Sequence, residues 1–203
     1  MEKIDFKHQL KHLYQPSARE VVVVDVPPLN YLMLDGEGDP NTSKAYQAAV
    51  EVLFGLAYAI KFMVKKGALA IDYGVLPLEG LWWADDMTSF STADKSNWKW
   101  TMLIMQPDFI TPVMVAEAIN KQKGKTGASM LEQVRFTSPS EGLCVQIMHI
   151  GPFSAEGPTI ERLHRYITDS GHQRCGKHHE IYLSDIRKAD AAKWRTIIRQ
   201  PMH

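Results

Sequence analysis

The feature that most constrains the fold of this chain is an internal repeat. Five residues in the middle of the chain recur at identical spacing near its C-terminus: Lys99, Trp100, Ile104, Gln106 and Pro107 match Lys193, Trp194, Ile198, Gln200 and Pro201. Both copies predict a β-strand that ends at proline, because proline cannot donate a sheet hydrogen bond. A chain of 203 residues is long enough to hold two fused halves of roughly 100 residues each.

The two halves predict the same order of elements. A strand at 31–36 precedes a helix at about 42–65, and a strand at 144–151 precedes a helix at about 156–170. Each helix has apolar residues at three- and four-residue spacing, and a glycine follows each as a stop signal. Two further strands follow each helix. A small sheet with one helix leaves a face uncovered, so the halves are expected to pack together as one α+β domain.

The same patterns divide the chain into parts. One domain at 1–203 contains lobe one at about 20–107, a linking segment at about 108–128 and lobe two at about 129–203. The linking segment predicts a helix at about 112–123. The turn at 123–127 lacks the spacing of a phosphate-binding loop and is expected to be a solvated linker. The polar segment 85–97 is expected to be a plain hairpin tip, and the strand at 21–26 is expected to join the sheet of lobe one.

The charge balance argues against nucleic acid as a direct partner. Lysine plus arginine and aspartate plus glutamate number 23 each, so no net positive field gathers polyanions. The segment 1–10 lacks the continuous apolar run of a signal peptide, and Glu51 and Lys61 interrupt the longest apolar stretch. We therefore expect a cytoplasmic protein with no membrane partner, present as a monomer or weak homodimer, with Cys144 and Cys175 as free thiols.

Four segments carry motifs that are specific in combination. They are YGVLPLEGLWW at 73–83, MQPDF at 105–109, QIMHIGPF at 146–153 and HHEIYLSD at 178–185. Together they resemble the GyrI-like small-molecule-binding proteins over nearly the whole chain. The resemblance implies a duplicated βαββ module with pseudo-twofold symmetry, antiparallel sheets with helices packed on one side, and a ligand cleft between the lobes.

The resemblance also implies a kind of ligand. Similar domains serve as effector-binding domains of multidrug-responsive transcription activators, in which a buried glutamate among aromatic rings meets flat cationic ligands. Glu180 holds the matching position. The roughly 20 residues before the domain are too few for a helix-turn-helix, so transcription activation by this chain alone is not expected. Some stand-alone members of the family are reported as hydrolases that open the strained cyclopropane of DNA-alkylating natural products.

Glu180 is the centre of the predicted site. A carboxylate beside aromatic rings suits a lipophilic cation, because cation–π attraction adds about 0.5–2 kcal/mol and the carboxylate supplies the counter-charge. Side chains alternate along a strand, so Glu180, Tyr182 and Ser184 should face the cleft, and His179 should face away. For hydrolysis, Glu180 is the expected base and Tyr182 the expected donor to the oxygen that collects charge.

The predicted first-lobe contribution rests on the same alternation. Glu79, Leu81 and Trp83 are expected to lie opposite Glu180, with Trp82 toward the helices, but a bend in this strand keeps both tryptophans as candidates. The full set of predicted ligand-binding residues is Glu180, Tyr182, Glu79, Trp82, Trp83, Tyr73, Met148, Met102 and Met33. Methionine is included because its flexible side chain suits ligands of varied shape.

Two pairs of residues are interpreted as structural. Trp100 and Trp194 are expected to pack in the core, as large aromatic side chains usually do. The adjacent His178 and His179 point to opposite faces of a strand, so they cannot easily share one metal ion, and no metal site is expected. No nucleotide-binding glycine motif and no nucleophile elbow occurs, so no cofactor is expected.

Three classes of function follow from these features. The first is a binding module for toxic or xenobiotic small molecules, flat, apolar and often cationic. The second is a hydrolase that opens cyclopropane-bearing alkylators in the same cleft, with Glu180 as base. The third is a protein-binding regulator of the gyrase-inhibitor type, for which the only candidate surface is the segment 85–97.

Overall fold

The computed structural model describes residues 2–85, 95–123 and 128–203. The strands are β1 (Glu2–Ile4), β2 (Val22–Val26), β3 (Asn30–Glu37), β4 (Ile71–Tyr73), β5 (Leu78–Trp83), β6 (Lys99–Gln106), β7 (Arg135–Thr137), β8 (Gly142–Ile150), β9 (His178–Tyr182) and β10 (Arg195–Pro201). The helices are α1 (Phe6–Gln9), α2 (Lys11–Tyr14), α3 (Lys44–Lys66), α4 (Pro112–Gln122), α5 (Ala128–Leu131) and α6 (Gly157–Asp169). Most of the expected hairpin at 85–97 and of the expected linker turn at 123–127 lies outside the described residues.

One antiparallel sheet joins both halves of the chain. Its eight strands lie in the order β2-β8-β10-β9-β5-β6-β3-β7, and β1 pairs with β4 in a separate parallel pair. Each half contributes a βαββ unit, β3-α3-β5-β6 in one and β8-α6-β9-β10 in the other. The units meet edge to edge where β5 pairs with β9. The predicted α+β class and duplicated module are confirmed, and the sheets of the two modules are continuous.

The outer strands of the sheet are exchanged between the halves. The expectation that the strand at 21–26 joins lobe one is wrong, because β2 pairs with β8 of lobe two, with Val23 opposite Val145. In the same way β7, near the start of lobe two, pairs with β3 of lobe one. Pro27 and Pro28 separate β2 from β3. Their fixed φ and missing N–H groups oppose a tight hairpin, so β2 leaves the edge of its own lobe.

The long helix α3 packs the apolar side that the sequence pattern predicts against the sheet. Ser43 caps its first turn by accepting a hydrogen bond from the backbone of Tyr46, and Gly67 follows its last residue as predicted. The charged residues Glu51 and Lys61 argued against a membrane span, but by length and composition alone this helix could cross a membrane. Its apolar stripe instead packs on the sheet, with the buried positions Ala49, Val52, Leu53, Leu56, Ala57, Ile60 and Val64.

The two helices leave a groove over the middle of the sheet. On this face α3 packs mainly on β3 and β6, and α6 packs on β8 and β10. The central strands β5 and β9 therefore form the floor between the helices. The opposite face is covered by the N-terminal segment, whose Leu13 and Tyr14 are buried with Leu103, Ile181 and Ile197.

A glycine next to a tryptophan gives a test of the packing in lobe one. Gly36 lies opposite Trp100 across the β3–β6 ladder, and a Cβ atom at Gly36 would lie 2.1 Å from the indole ring. Trp100 is 1% exposed, so it has little room to move. We expect Gly36→Ala to lower the free energy of unfolding by about 1–3 kcal/mol, as overpacking does. Urea unfolding measures this change.

The matched control is Gly55→Ala in α3. No atom lies within 4 Å of a Cβ built at Gly55, which is exposed. Alanine in a helix interior is favoured over glycine, so this variant should gain about 0.5–1 kcal/mol. Equal effects of the two substitutions would contradict the proposed tight contact at Trp100.

Candidate functional site

Glu180 lies on the floor of the groove between the helices. It sits on β9 and is flanked across the sheet by Gly80 of β5 and Ile198 of β10. Only 9% of its surface is exposed. Its Oε1 lies 3.0 Å from Nε2 of His178, and its Oε2 accepts a 2.8 Å hydrogen bond from the hydroxyl of Tyr182. Both carboxylate oxygens of Glu180 are therefore held by neighbours on the same strand.

A hydrogen-bonded series connects the two lobes at this point. Nε1 of Trp82 donates to the hydroxyl of Tyr182 at 2.9 Å, and that hydroxyl donates to Glu180. Gly80 makes this geometry possible, because a Cβ there would lie 2.7 Å from Nε1 of Trp82 and 3.0 Å from the hydroxyl of Tyr182. The indole, the phenol and the carboxylate thus form one connected unit.

Aromatic rings surround this unit. Tyr46 of α3 stacks on Trp82 with ring centroids 6.0 Å apart, and Trp98 meets Trp82 edge-on at 5.4 Å. From the other lobe, Phe153 contacts Tyr182 edge-on at 5.6 Å and Trp194 at 5.0 Å. Trp194 was predicted to be a packing residue, and it lies beside the site. These rings offer flat apolar faces around a carboxylate, which is the environment that lipophilic cations prefer.

A second carboxyl group, missed by the sequence reasoning, belongs to the same site. Glu156 precedes α6 and is 4% exposed. Its side chain interacts with Thr196, which lies directly opposite Tyr182 in the sheet. Among the described residues, Oε1 of Glu156 has no hydrogen-bond partner. The only sequence signal was an acidic residue before Gly157-Pro158, which is equally typical of an ordinary helix start.

The two carboxyl groups differ in charge state. Burial, reinforced by the nearby charge of Glu180, raises the pKa of Glu156 to about 9. Burial would also raise the pKa of Glu180, but hydrogen bonds from His178 and Tyr182 outweigh it and lower that pKa. At neutral pH the pair therefore consists of an ionised Glu180 and a protonated Glu156. Environments that drive two carboxyl pKa values apart are typical of functional sites.

The prediction that Glu79 faces Glu180 is wrong. In the repeat Ile104 matches Ile198, and across the ladders Ile104 lies opposite Leu78, whereas Ile198 lies opposite Glu180. The counterpart of Glu180 in lobe one is thus Leu78. Glu79 stands one residue further along the strand, and a shift of one residue places a side chain on the other face of the sheet.

Glu79 instead belongs to a buried ionic network below the site. Its Oε2 lies 2.9 Å from Nε2 of His179, and its Oε1 accepts a 2.8 Å hydrogen bond from the hydroxyl of Tyr14. Nδ1 of His179 lies 2.9 Å from both oxygens of Glu141, and Arg199 donates to Glu141 at 3.2 Å. These five residues link α2 to β5, β9, β10 and the segment that precedes β8.

The remaining predicted residues lie in three places. Trp82 and Met102 share the groove face with Glu180, and Met102 is fully buried beneath it. Register places Trp83, Met33 and Met148 on the opposite face, and the ammonium of Lys177 lies over the Trp83 ring. Tyr73 packs edge-on against Phe6 and Phe109 in the core of lobe one. The structure brings Trp82 and Tyr182 together with Glu180. Met102 lies on the same face in the core of lobe one, and the other predicted residues lie elsewhere.

The chemistry open to this site is that of carboxyl groups and aromatic rings. Within residues 2–85, 95–123 and 128–203, no group of three or more His, Cys, Asp or Glu side chains is arranged to hold a metal ion. Both cysteines are free thiols, as expected. One ionised and one protonated carboxyl, both largely buried, can bind a cation, accept a proton from water and donate a proton to an oxygen.

Comparison with known proteins places this geometry in a family. The model of the GyrI-like small molecule binding domain matches residues 19–202. A conserved protein of undetermined function from Listeria innocua is 39% identical, with a TM-score of 0.90, and the alignment covers 98% of this chain and 100% of that one. A hydrolase from Listeria innocua is 38% identical, with a TM-score of 0.85 and the same coverage.

A more distant structure shares the fold alone. The C-terminal domain of EcmrR is 15% identical with a TM-score of 0.57, and the alignment covers 91% of this chain and 97% of that domain. A comparison with curated proteins finds no match. The family model matches nearly the whole chain and includes both lobes. The chain therefore belongs to the family of GyrI-like small-molecule binding domains.

Proposed function

We propose that this protein captures flat, apolar, cationic small molecules in the groove at Glu180. The observation that carries the proposal is a buried carboxylate held by Tyr182 and ringed by aromatic side chains from both lobes. The rings supply stacking surface, and Glu180 supplies the charge that a cation loses on leaving water. Because Glu180 is 9% exposed, a ligand that reaches it must displace neighbouring side chains.

Fluorescence titration with a matched pair of ligands tests this proposal. N-methylquinolinium is a flat permanent cation, and 1-methylnaphthalene is a neutral molecule of nearly the same shape. Glu180→Gln should weaken binding of the cation by about 1.5 kcal/mol or more, which is more than tenfold, and leave the neutral ligand almost unaffected. Glu117→Gln on the exposed surface of α4 is the control variant.

The outcomes separate a charged site from a merely apolar one. Equal binding of both ligands by the wild type and by Glu180→Gln would contradict a charge-assisted site. Failure of the cation to bind the wild type would contradict the proposed function as a whole.

Hydrolysis is the second candidate function. It is favoured by the difference in protonation between Glu156 and Glu180, which offers both a base and an acid. Glu180 would take a proton from water while the water oxygen bonds to a cyclopropane carbon. The ring C–C bond breaks, and its electron pair passes to a conjugated oxygen, which is then protonated by Glu156 or Tyr182. The net change is the addition of one water molecule. The hydrolase from Listeria innocua, 38% identical over 98% of this chain, is consistent with this candidate.

A further inference from the structure

The groove contains a buried carboxyl group, that of Glu156, with one oxygen that no hydrogen bond among the described residues satisfies. Glu156 is 4% exposed, and its Oε1 has no hydrogen-bond partner among the described residues. It makes no side-chain cap at the start of α6, so it is not explained by helix capping. A buried polar atom without a partner costs free energy unless something else occupies that position when the protein works.

Glu156 lies at the part of the groove where Tyr182 is located. It interacts with Thr196, and Thr196 is flanked across the sheet by Tyr182 on one side and His149 on the other. The charged and titratable groups that act on this carboxyl are Glu180 from β9 and Lys95 from the segment before β6. Among the described residues, His178 and Tyr182 from β9 and Tyr46 from α3 also lie around the carboxyl pair.

We infer that Glu156 is a second anchor for the cation, protonated in the empty site and ionised when the cation enters, so that capture releases a proton. The inference rests on the proposed binding function. It adds Glu156 as a second binding residue and links cation binding to proton release. On binding, the O–H bond of Glu156 breaks, the proton passes to solvent, and the carboxylate faces the ligand. The N-terminus of α6 favours the ionised form, because its backbone N–H groups stabilise negative charge.

The direction of the pH dependence follows from this exchange. Burial and the charge of Glu180 raise the pKa of Glu156 to about 9 in the empty site, and an added cation lowers it. Between the two values the bound protein holds fewer protons than the free protein. Affinity should therefore rise with pH over this interval, by up to about tenfold per pH unit, and level off above about pH 9.

Calorimetric titration with N-methylquinolinium tests the coupling. Binding heats are measured at one pH in two buffers of different ionisation enthalpy, and their difference gives the number of protons released. We expect a clear release for the wild type and almost none for Glu156→Gln, which should bind with weaker and nearly pH-independent affinity. Glu117→Gln on the exposed surface of α4 serves as the control, and it should release as many protons as the wild type.

The outcomes distinguish this inference from the function on which it rests. If the cation binds and the wild type and Glu156→Gln release equal numbers of protons, the inference is wrong and the binding function stands. If the cation does not bind the wild type, both fail. Infrared difference spectra give an independent reading, since the band of a protonated carboxyl group should disappear on ligand addition in the wild type and be missing from Glu156→Gln.

Discussion

Replacing His179 by glutamine should lower the free energy of unfolding by about 3–5 kcal/mol near pH 6, because it removes the charged histidine that lies between two buried carboxylates. His179 is 1% exposed and lies between Glu79 and Glu141. Burial alone would lower the pKa of His179, but the two carboxylates raise it to about 9. Burial alone would raise the pKa of Glu141, but His179 and Arg199 lower it to about 2.

These shifts define the pH range of the effect. The His179 contribution is complete below its ordinary pKa of 6.5 and is lost as pH rises through about 9. The Glu141 contribution is complete above its ordinary pKa of 4.5 and is lost as pH falls toward about 2. The stability difference between wild type and His179→Gln should therefore be largest between pH 4.5 and 6.5.

Urea unfolding at a series of pH values measures this difference. The control is Glu117→Gln, which removes an exposed ion pair with Lys121 and should change stability by less than about 1 kcal/mol at every pH. A difference for His179→Gln that stays constant from about pH 5 to 9.5 would show that the network is not held by a charged histidine.

Glu180→Gln should reduce hydrolytic turnover by about 10²–10⁴-fold, the usual effect of losing a general base. Glutamine keeps the shape of the side chain and can still accept from Tyr182, but it cannot take a proton from water. A small cyclopropane conjugated to a ketone is a suitable test substrate. Mass spectrometry in ¹⁸O-labelled water detects the ring-opened product, which should carry one labelled oxygen.

Tyr182→Phe provides a graded comparison for this experiment. It keeps the ring that packs against Phe153 and removes one hydrogen bond to Glu180, so its turnover should fall less than that of Glu180→Gln. If the wild type forms no labelled product, the hydrolytic candidate fails and the cation-binding proposal is unaffected. Equal turnover by wild type and Glu180→Gln would assign the base to another group.

The sequence predicted the role of Glu180 but not that of Glu156. Glu180 stands in an apolar, aromatic strand within a motif that resembles a known family, so its local sequence marks it. Glu79 has similar local surroundings and is fully buried, but it belongs to the network around His179. Glu156 has no marked surroundings, and only folding places it beside Thr196 and Glu180. Local sequence identifies an unusual residue but does not identify its neighbours in space.

The three long helices and the duplication of the βαββ unit were determined by the sequence alone. The helices at 44–66, 112–122 and 157–169 follow the three- and four-residue spacing of apolar side chains, and Gly67 ends the first of them. The repeat around Trp100 and Trp194 predicted two equivalent units. These signals are local, because helix period, turn residues and strand alternation act within a few residues of the chain.

The tertiary structure decided which strand edges meet and which charges share a buried space. The exchange of β2 onto β8 and the pairing of β5 with β9 join segments far apart in the chain. The pairing register decides the face of every side chain, and one residue of offset separates Glu79 from the counterpart of Glu180. The charge states of Glu156 and Glu180 depend on that placement, since burial and neighbouring charges set a carboxyl pKa.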